Sequence, residues 1–319
     1  MQKQKKGSPM LSRKDFLRYS TMAAGSMLVP FGDAMALSKK QKLVILHTND
    51  THSRLDPFPM DGSRNQGMGG VAARASLISE IRNREEHVLL LDAGDIFQGT
   101  PYFNLYKGEP EMKAMEWMKY DACTMGNHDF DGGIDLFAEQ LKHVRFPVLI
   151  CNYDFSETPM AGKTKSYQIF RKGDLKIGIT GVGIELVGLV PDSLFGKTGY
   201  VEPVAVLNRT ASKLKHQLGC DLVICLSHLG YEYKNDPNRI SDLKLAALTE
   251  DVDIIIGGHT HTFLQTPVSV INKKGREVLI NQVGWGGLVL GRIDLEFQSG
   301  KGFRKLSSET VFLGKKTSE

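Results

Sequence analysis

Five short apolar runs in this chain end in the same way, in side chains that can hold a metal ion. KLVILHT (Lys42–Thr48) leads into Asp50 and His52, and HVLLLDA (His87–Ala93) into Asp95. YDACTMG (Tyr120–Gly126) leads into Asn127 and His128, DLVICLS (Asp221–Ser227) into His228, and DVDIIIGG (Asp251–Gly258) into His259 and His261. Runs this short and this rich in Val, Ile and Leu read as strands buried on both faces. In open α/β sheets ligands collect beyond the carboxyl ends of strands, so these five ends are expected to converge on one crevice.

A sixth strand is expected at FPVLICN (Phe146–Asn152), and helix-like spacing at Gly70–Arg84, Glu109–Met118, Ile134–His143, Val204–Leu218 and Ile240–Thr249. Alternation of this kind predicts an α/β layered fold. After Gly258 the runs TPVSVIN, REVLINQVG, LVLGRIDLEF and FRKLSSETVFL follow without a long helix, so a largely antiparallel segment closes the domain. GWGG (Gly284–Gly287) within that segment is expected to be a hairpin turn, with the rim of the site as the alternative. Beyond residue 40 there is no repeat, low-complexity tract or linker, which favours one domain over residues 37–319.

The formal charge of +4 is accounted for by residues 1–36, where six Lys or Arg face only Asp15 and Asp33. The remainder is neutral, which argues against a nucleic-acid surface. The same segment has the pattern of an export signal: a basic stretch, the apolar run Tyr19–Phe31, and Ala34-Met35-Ala36 as a cleavage site. SRKDFLR (Ser12–Arg18) resembles a twin-arginine motif with Lys14 in place of the second arginine. The expected location is periplasmic or extracellular, with no membrane attachment after cleavage. Cys123, Cys151, Cys220 and Cys225 lie in or beside strand-like runs and are expected to be mostly buried free thiols.

Each polar strand end has a plain alternative. Asp50 and Asp95 alone would be turn or cap residues, and a lone His228 would be structural. Two histidines one residue apart after Gly257-Gly258 are a stronger metal signal. Together, four imidazoles, two carboxylates and one carboxamide exceed what a tetrahedral site takes and suit two neighbouring divalent ions sharing a carboxylate.

In this order, Asp-x-His, Gly-Asp, Gly-Asn-His-Asp, His and Gly-His-x-His, the chain resembles the calcineurin-like metallophosphoesterases. More narrowly, HTNDTHSRLDP, AGDIFQGTP, NLYKGEPEMKAMEWMKYDACTMGNHDFDGG and LSHLGYE are similar to the catalytic domain of the 5'-nucleotidase and UDP-sugar hydrolase family, from about Lys42 to Leu313. The resemblance implies a four-layer α/β/β/α sandwich of two mixed sheets with a dimetal centre at one edge. It assigns Asp50, His52 and His261 to one ion and Asn127, His228 and His259 to the other, with Asp95 bridging. His261 stands where some relatives carry Gln. It makes His128 the catalytic histidine and Asp131 its acidic partner, and leaves Asp129, a Glu in many members, outside catalysis. The metals would be Zn, Mn, Fe or Co. The expected activity is hydrolysis of phosphate esters, foremost 5'-nucleotides, with UDP-sugars or cyclic nucleotides as alternatives. Family nucleotidases continue into a second domain that clamps the base. Since this chain stops at Glu319, the resemblance implies a separate protein supplying that domain, a substrate needing no clamp, or a non-enzymatic scaffold that docks such a protein.

Overall fold

The computed structural model describes residues 40–298 and 302–314, and the expected export signal over residues 1–36 lies outside them. In chain order the strands are β1 (Lys40–Thr48), β2 (Val88–Asp92), β3 (Ala122–Cys123), β4 (Val148–Leu149), β5 (Tyr153–Asp154), β6 (Thr164–Lys165), β7 (Tyr167–Lys172), β8 (Leu175–Gly183), β9 (Gly199–Tyr200), β10 (Leu222–His228), β11 (Ile254–Gly257), β12 (Val268–Ile271), β13 (Glu277–Asn281), β14 (Val289–Gln298) and β15 (Gly302–Phe312). One sheet has the order β15-β14-β1-β2-β3-β4-β6 and the other β12-β13-β11-β10-β8-β7, while β5 and β9 pair separately. Both large sheets are mixed. From β1 to β6 the first is parallel, with antiparallel β14 and β15 at its edge. The second is parallel from β8 to β13, with β7 and β12 antiparallel at its two edges.

The layering follows from side-chain alternation along the strands. On β1, Leu43 and Ile45 join Leu89, Leu91, Ile177, Ile179, Ile224 and Ile256 in a core between the two sheets. Val44 and Leu46 face the other way, into a core with Ile78, Met112, Met115 and Phe137 from the helices Val71–Arg84, Glu109–Trp117 and Ile134–Gln140. The outer face of the second sheet, with Val223, Cys225 and Ile255, is covered by Leu207 and Ala211 of helix Pro203–Ser212 and Leu245 of helix Asp242–Leu248. The result is the expected four-layer α/β/β/α sandwich. Among the described residues no helix is long and apolar enough to cross a membrane. The four cysteines are free; Cys123, Cys220 and Cys225 are buried and Cys151 is half-buried.

Several expectations from sequence are corrected. The hairpin of β7 and β8 was not legible as strands, although it carries Ile177 and Ile179 into the central core. The expected strands at Tyr120–Gly126 and Phe146–Asn152 shrink to two residues each. Pro147, just before β4, has no N–H to add to the ladder and gives only its carbonyl to Cys123 N–H. The expected helix Val204–Leu218 is α-helical over Pro203–Ser212 and then widens into a π-helical turn over Lys213–Gln217. The closing segment is only partly antiparallel, because β13 lies parallel to β11. GWGG is not a hairpin: β13 and β14 belong to different sheets, so this stretch crosses from one to the other.

A four-membered ion network ties the start of β1 to β14. Lys42 Nζ lies 2.7 Å from Glu85 and 2.9 Å from Asp294, and Arg292 lies 2.6 Å and 2.7 Å from the same two carboxylates. The Lys42 hydrogen bond, with Arg292 adding to it, holds the Glu85 carboxyl below its ordinary 4.5. A depressed carboxyl contributes stability above its unfolded pKa and loses it as the pH falls through the folded value. Glu85→Gln is therefore expected to lower stability by about 0.5–1 kcal/mol at pH 7. The difference from wild type should shrink below about pH 4, which urea unfolding at pH 7 and pH 3 would measure.

Candidate active site

The carboxyl ends of β1, β2 and β3 are neighbours in one sheet, and those of β10 and β11 are neighbours in the other. The loops that follow are stitched together by their backbones. Asp50 N–H donates to Gly94 O at 2.9 Å and His52 N–H to Asp95 O at 3.0 Å, so the first two ligand loops run side by side. The third is clamped to them through Asp129, whose buried carboxylate accepts from the N–H groups of Asp95 (3.1 Å), Ile96 (2.9 Å), Phe97 (3.1 Å) and Gly126 (2.8 Å). Burial and the nearby Asp95 push the Asp129 carboxyl up to about 7, while those amides pull it down. Asp129 thus ties the second and third ligand loops together through hydrogen bonds.

Two glycines make this approach possible. A Cβ on Gly126 would lie 2.1 Å from Asp95 Oδ1, and one on Gly94, whose φ is +90°, would lie 2.5 Å from Gly126 N. Five of the candidate ligands themselves adopt the left-handed conformation: Asp50 (φ 50°), His52 (49°), Asp95 (56°), His259 (74°) and His261 (53°). Each such residue costs about 1–2 kcal/mol, which the surrounding bonds must offset.

All seven residues singled out as ligands meet here. Asp50, His52 and His261 present their ligand atoms within 4.8 Å of one another, and so do Asp95, His228 and His259. His52 Nε2 and His261 Nε2 face each other at 3.0 Å, and His261 Nε2 is 3.4 Å from Asp50 Oδ1. Asp95 Oδ2 is 3.0 Å from His228 Nε2 and 3.9 Å from His52 Nε2, a position between the two triads. Asn127 Oδ1 joins the second triad at 2.7 Å from His259 Nδ1. His228 is the last residue of β10 rather than the first beyond it.

Tautomers test whether cations fit. His228 Nδ1 donates to Ala93 O at 2.7 Å and His52 Nδ1 to Phe97 O at 3.3 Å, so both rings present an Nε2 lone pair to the centre. His228 Nε2 is fully buried and has no hydrogen-bond partner of acceptable geometry. Burial would lower the His228 pKa, but Asp95 and Asp50 outweigh it and raise it to about 10, so the field at Nε2 favours positive charge. Burial lowers the pKa of His52, and takes that of His259 to about 4, which keeps both as neutral donors. Facing lone pairs around two carboxylates suit two divalent ions better than any set of protons.

Beside this centre, His128 Nδ1 is 2.7 Å from Asp131 Oδ2, and its ring centroid is 5.2 Å from that of His52. The Asp131 bond raises the His128 pKa against burial, which lowers it. His128 N–H is fixed by Asp95 Oδ1 at 2.8 Å.

Asn49 is missed by the sequence reading, and the stretch holding Trp285 is favoured there as a turn. Asn49 donates to Asp50 Oδ2 at 2.6 Å and to Gly284 O at 2.7 Å, and accepts from Val283 N–H at 2.9 Å. Trp285 stacks on His261, with ring centroids 5.9 Å apart and planes 16° off parallel, so GWGG forms the rim of the site, the alternative left open from sequence. The position of Asn49 inside HTNDTH was the one available signal for it.

The family description calcineurin-like phosphoesterase matches residues 43–263. The chain belongs to the calcineurin-like phosphoesterase family, with the α/β metallo-dependent phosphatase fold. It is 35% identical over 301 residues to the snake venom 5'-nucleotidase of Crotalus adamanteus, covering 87% of this chain and 49% of that protein. Among solved structures it is similar to a 5'-nucleotidase precursor from Thermus thermophilus, with TM-score 0.76, 32% identity, 86% of this chain and 55% of that one. It is also similar to the NAD nucleotidase of Haemophilus influenzae, with TM-score 0.75, 27% identity, 86% of this chain and 51% of that one. The chain spans about half the length of the curated relatives it matches.

Removing the anchor should cost more than removing a typical surface carboxylate. Asp129→Ala leaves four buried amides without their acceptor and is expected to destabilise the fold by at least about 3 kcal/mol. A shift in the urea midpoint smaller than that of an exposed Asp→Ala control would contradict the anchoring role.

Proposed function

We propose that this chain is a dimetal phosphoric ester hydrolase that acts foremost on 5'-nucleotides, releasing nucleoside and phosphate. The observation that carries the reading is the His128–Asp131 pair at 2.7 Å, set 5.2 Å from His52 at the mouth of a centre made of two ligand triads. Asp50, His52 and His261 would hold one divalent ion, and Asn127, His228 and His259 the other, with Asp95 shared. Such ions, when bound, neutralise phosphoryl charge and bring the pKa of a coordinated water from ~16 to about 7.

The chain's own residues do the rest. Asp131 accepts from Nδ1 and so leaves the second proton of His128 on Nε2, the atom free to face substrate. The His128 side chain is 41% exposed, enough for an ester oxygen to reach it. As the phosphorus–oxygen bond breaks, Nε2–H gives its proton to the departing alkoxide, and Asp131 stabilises the charge that the ring held beforehand. Ala93 O and Phe97 O hold the His228 and His52 rings in register throughout. Similarity to 5'-nucleotidases supports the nucleotide as substrate, and similarity to a NAD nucleotidase supports a second reading in which a diphosphate is cleaved. Export to the periplasm or cell exterior belongs to the same proposal and is supported by the signal-like pattern before residue 37.

His128→Ala should lower kcat on a nucleoside monophosphate by about 10²–10⁴ and on an activated aryl phosphate far less, because a good leaving group needs no proton. Equal losses on the two esters would remove His128 from the acid role. Exhaustive chelation should abolish both activities, and re-addition of Mn, Co or Zn should restore them. Hydrolysis that survives complete metal removal would overturn the dimetal reading. A panel of nucleoside monophosphates, UDP-sugars, NAD and cyclic nucleotides separates the substrate alternatives.

A further inference from the structure

Two of the four candidate ligand imidazoles are fixed by a bond from Nδ1 to a backbone carbonyl, His52 to Phe97 O and His228 to Ala93 O, while the polar contacts of His259 and His261 are to fellow candidate ligands, Asn127 and His52. Among the described residues His261 has no hydrogen bond to a group outside the candidate ligands. Its side chain is also 40% exposed, against 10% for His52 and 0% for His228. A free imidazole on an exposed loop turns about its side-chain bonds, and a ligand that must be ordered on binding binds more weakly.

Trp285 supplies what is missing. Its ring lies nearly parallel to His261, 16° off, and is itself held by Phe58, whose ring meets it edge-on at 5.4 Å and 85°. Arg54 covers the Phe58 ring, with Cζ 4.2 Å from the centroid. The loop carrying Trp285 is pinned from behind: Gly286 N–H donates to Asp50 O at 2.7 Å, and Asn49 donates to Gly284 O. One loop therefore braces both Asp50 and His261, two members of the same triad, by backbone in one case and by ring stacking in the other.

We infer that Trp285 is the positioning residue for His261, and that the stack His261–Trp285–Phe58–Arg54 tunes the affinity of the Asp50/His52/His261 ion without touching the Asp95/His228/His259 ion. This rests on the two-ion reading above. It also makes the two ions unequal, because one of the two triads includes an imidazole whose orientation depends on an aromatic face.

The test is a titration of the metal-depleted full chain with Mn²⁺ or Co²⁺, read by calorimetry and by bound metal per chain. Wild type is expected to take up two ions. Trp285→Ala should weaken one of them about 10–100-fold and leave the other within error. Trp285→Phe, which retains a ring to stack, should stay within a few-fold of wild type. Trp285→Ala with both affinities unchanged, or Trp285→Phe falling as far as Trp285→Ala, would overturn the positioning role. Should Trp285→Ala not fold, the chain offers a second readout, because its tryptophans are Trp117 and Trp285 alone. In Trp117→Phe the remaining emission reports the stack directly. Quenching by Co²⁺ that saturates with one of the two ions and is lost in His261→Ala would support the inference, and emission indifferent to Co²⁺ would overturn it. A wild-type chain that binds fewer than two ions would overturn the two-ion reading itself, a result separate from an unaffected Trp285 variant.

Discussion

Four amides of two different loops end on one carboxylate, and the rest of the site is built around that junction. By accepting from Asp95, Ile96, Phe97 and Gly126, Asp129 fixes the loop after β2 against the loop after β3. Asp95 Oδ1 then captures His128 N–H, and Asp95 Oδ2 is left between the two triads. A buried carboxylate with four amide donors is costly to remove, because each amide would lose its acceptor, even though burial and the nearby Asp95 raise its own pKa. Its neighbour His128 is partly exposed, with Nδ1 held by Asp131.

The electrostatics follow from the same packing. Asp50 and Asp95 are buried side by side with His228, and only positive charge between them relieves the arrangement. Left-handed backbone at Asp50, His52, Asp95, His259 and His261 turns these side chains inward at strand ends that would otherwise splay apart. The sandwich offsets that strain elsewhere, in the inter-sheet core and in the hydrogen bonds that join one loop to the next.

Much of this was legible in the chain itself. Continuous apolar runs identified β1, β2, β10 and β11, and the residues at or just beyond their ends are the candidate ligands that meet in space. What escaped the reading had weak local signals. The β7–β8 hairpin is interrupted by charged residues, as in RKGDLK, and its burial comes from the facing sheet. GWGG looks like a turn because three of its four residues are glycine, and only the assignment of β13 and β14 to different sheets excludes a hairpin. Asn49 had no signal beyond its place next to Asp50.

The sequence by itself determined the chemistry available: which donors exist, in what order, and that glycines precede them where backbones must come close. Those properties are local, set by residue type and by spacing of one to three positions. Only the tertiary structure decided which donors gather within reach of one another, that Asp95 Oδ2 lies between His52 and His228 while Asp129 ties the loops together, and that Trp285 stacks on His261. Each of those depends on contacts between residues more than 20 positions apart, and the chain cannot specify such contacts until two sheets have closed on a common core.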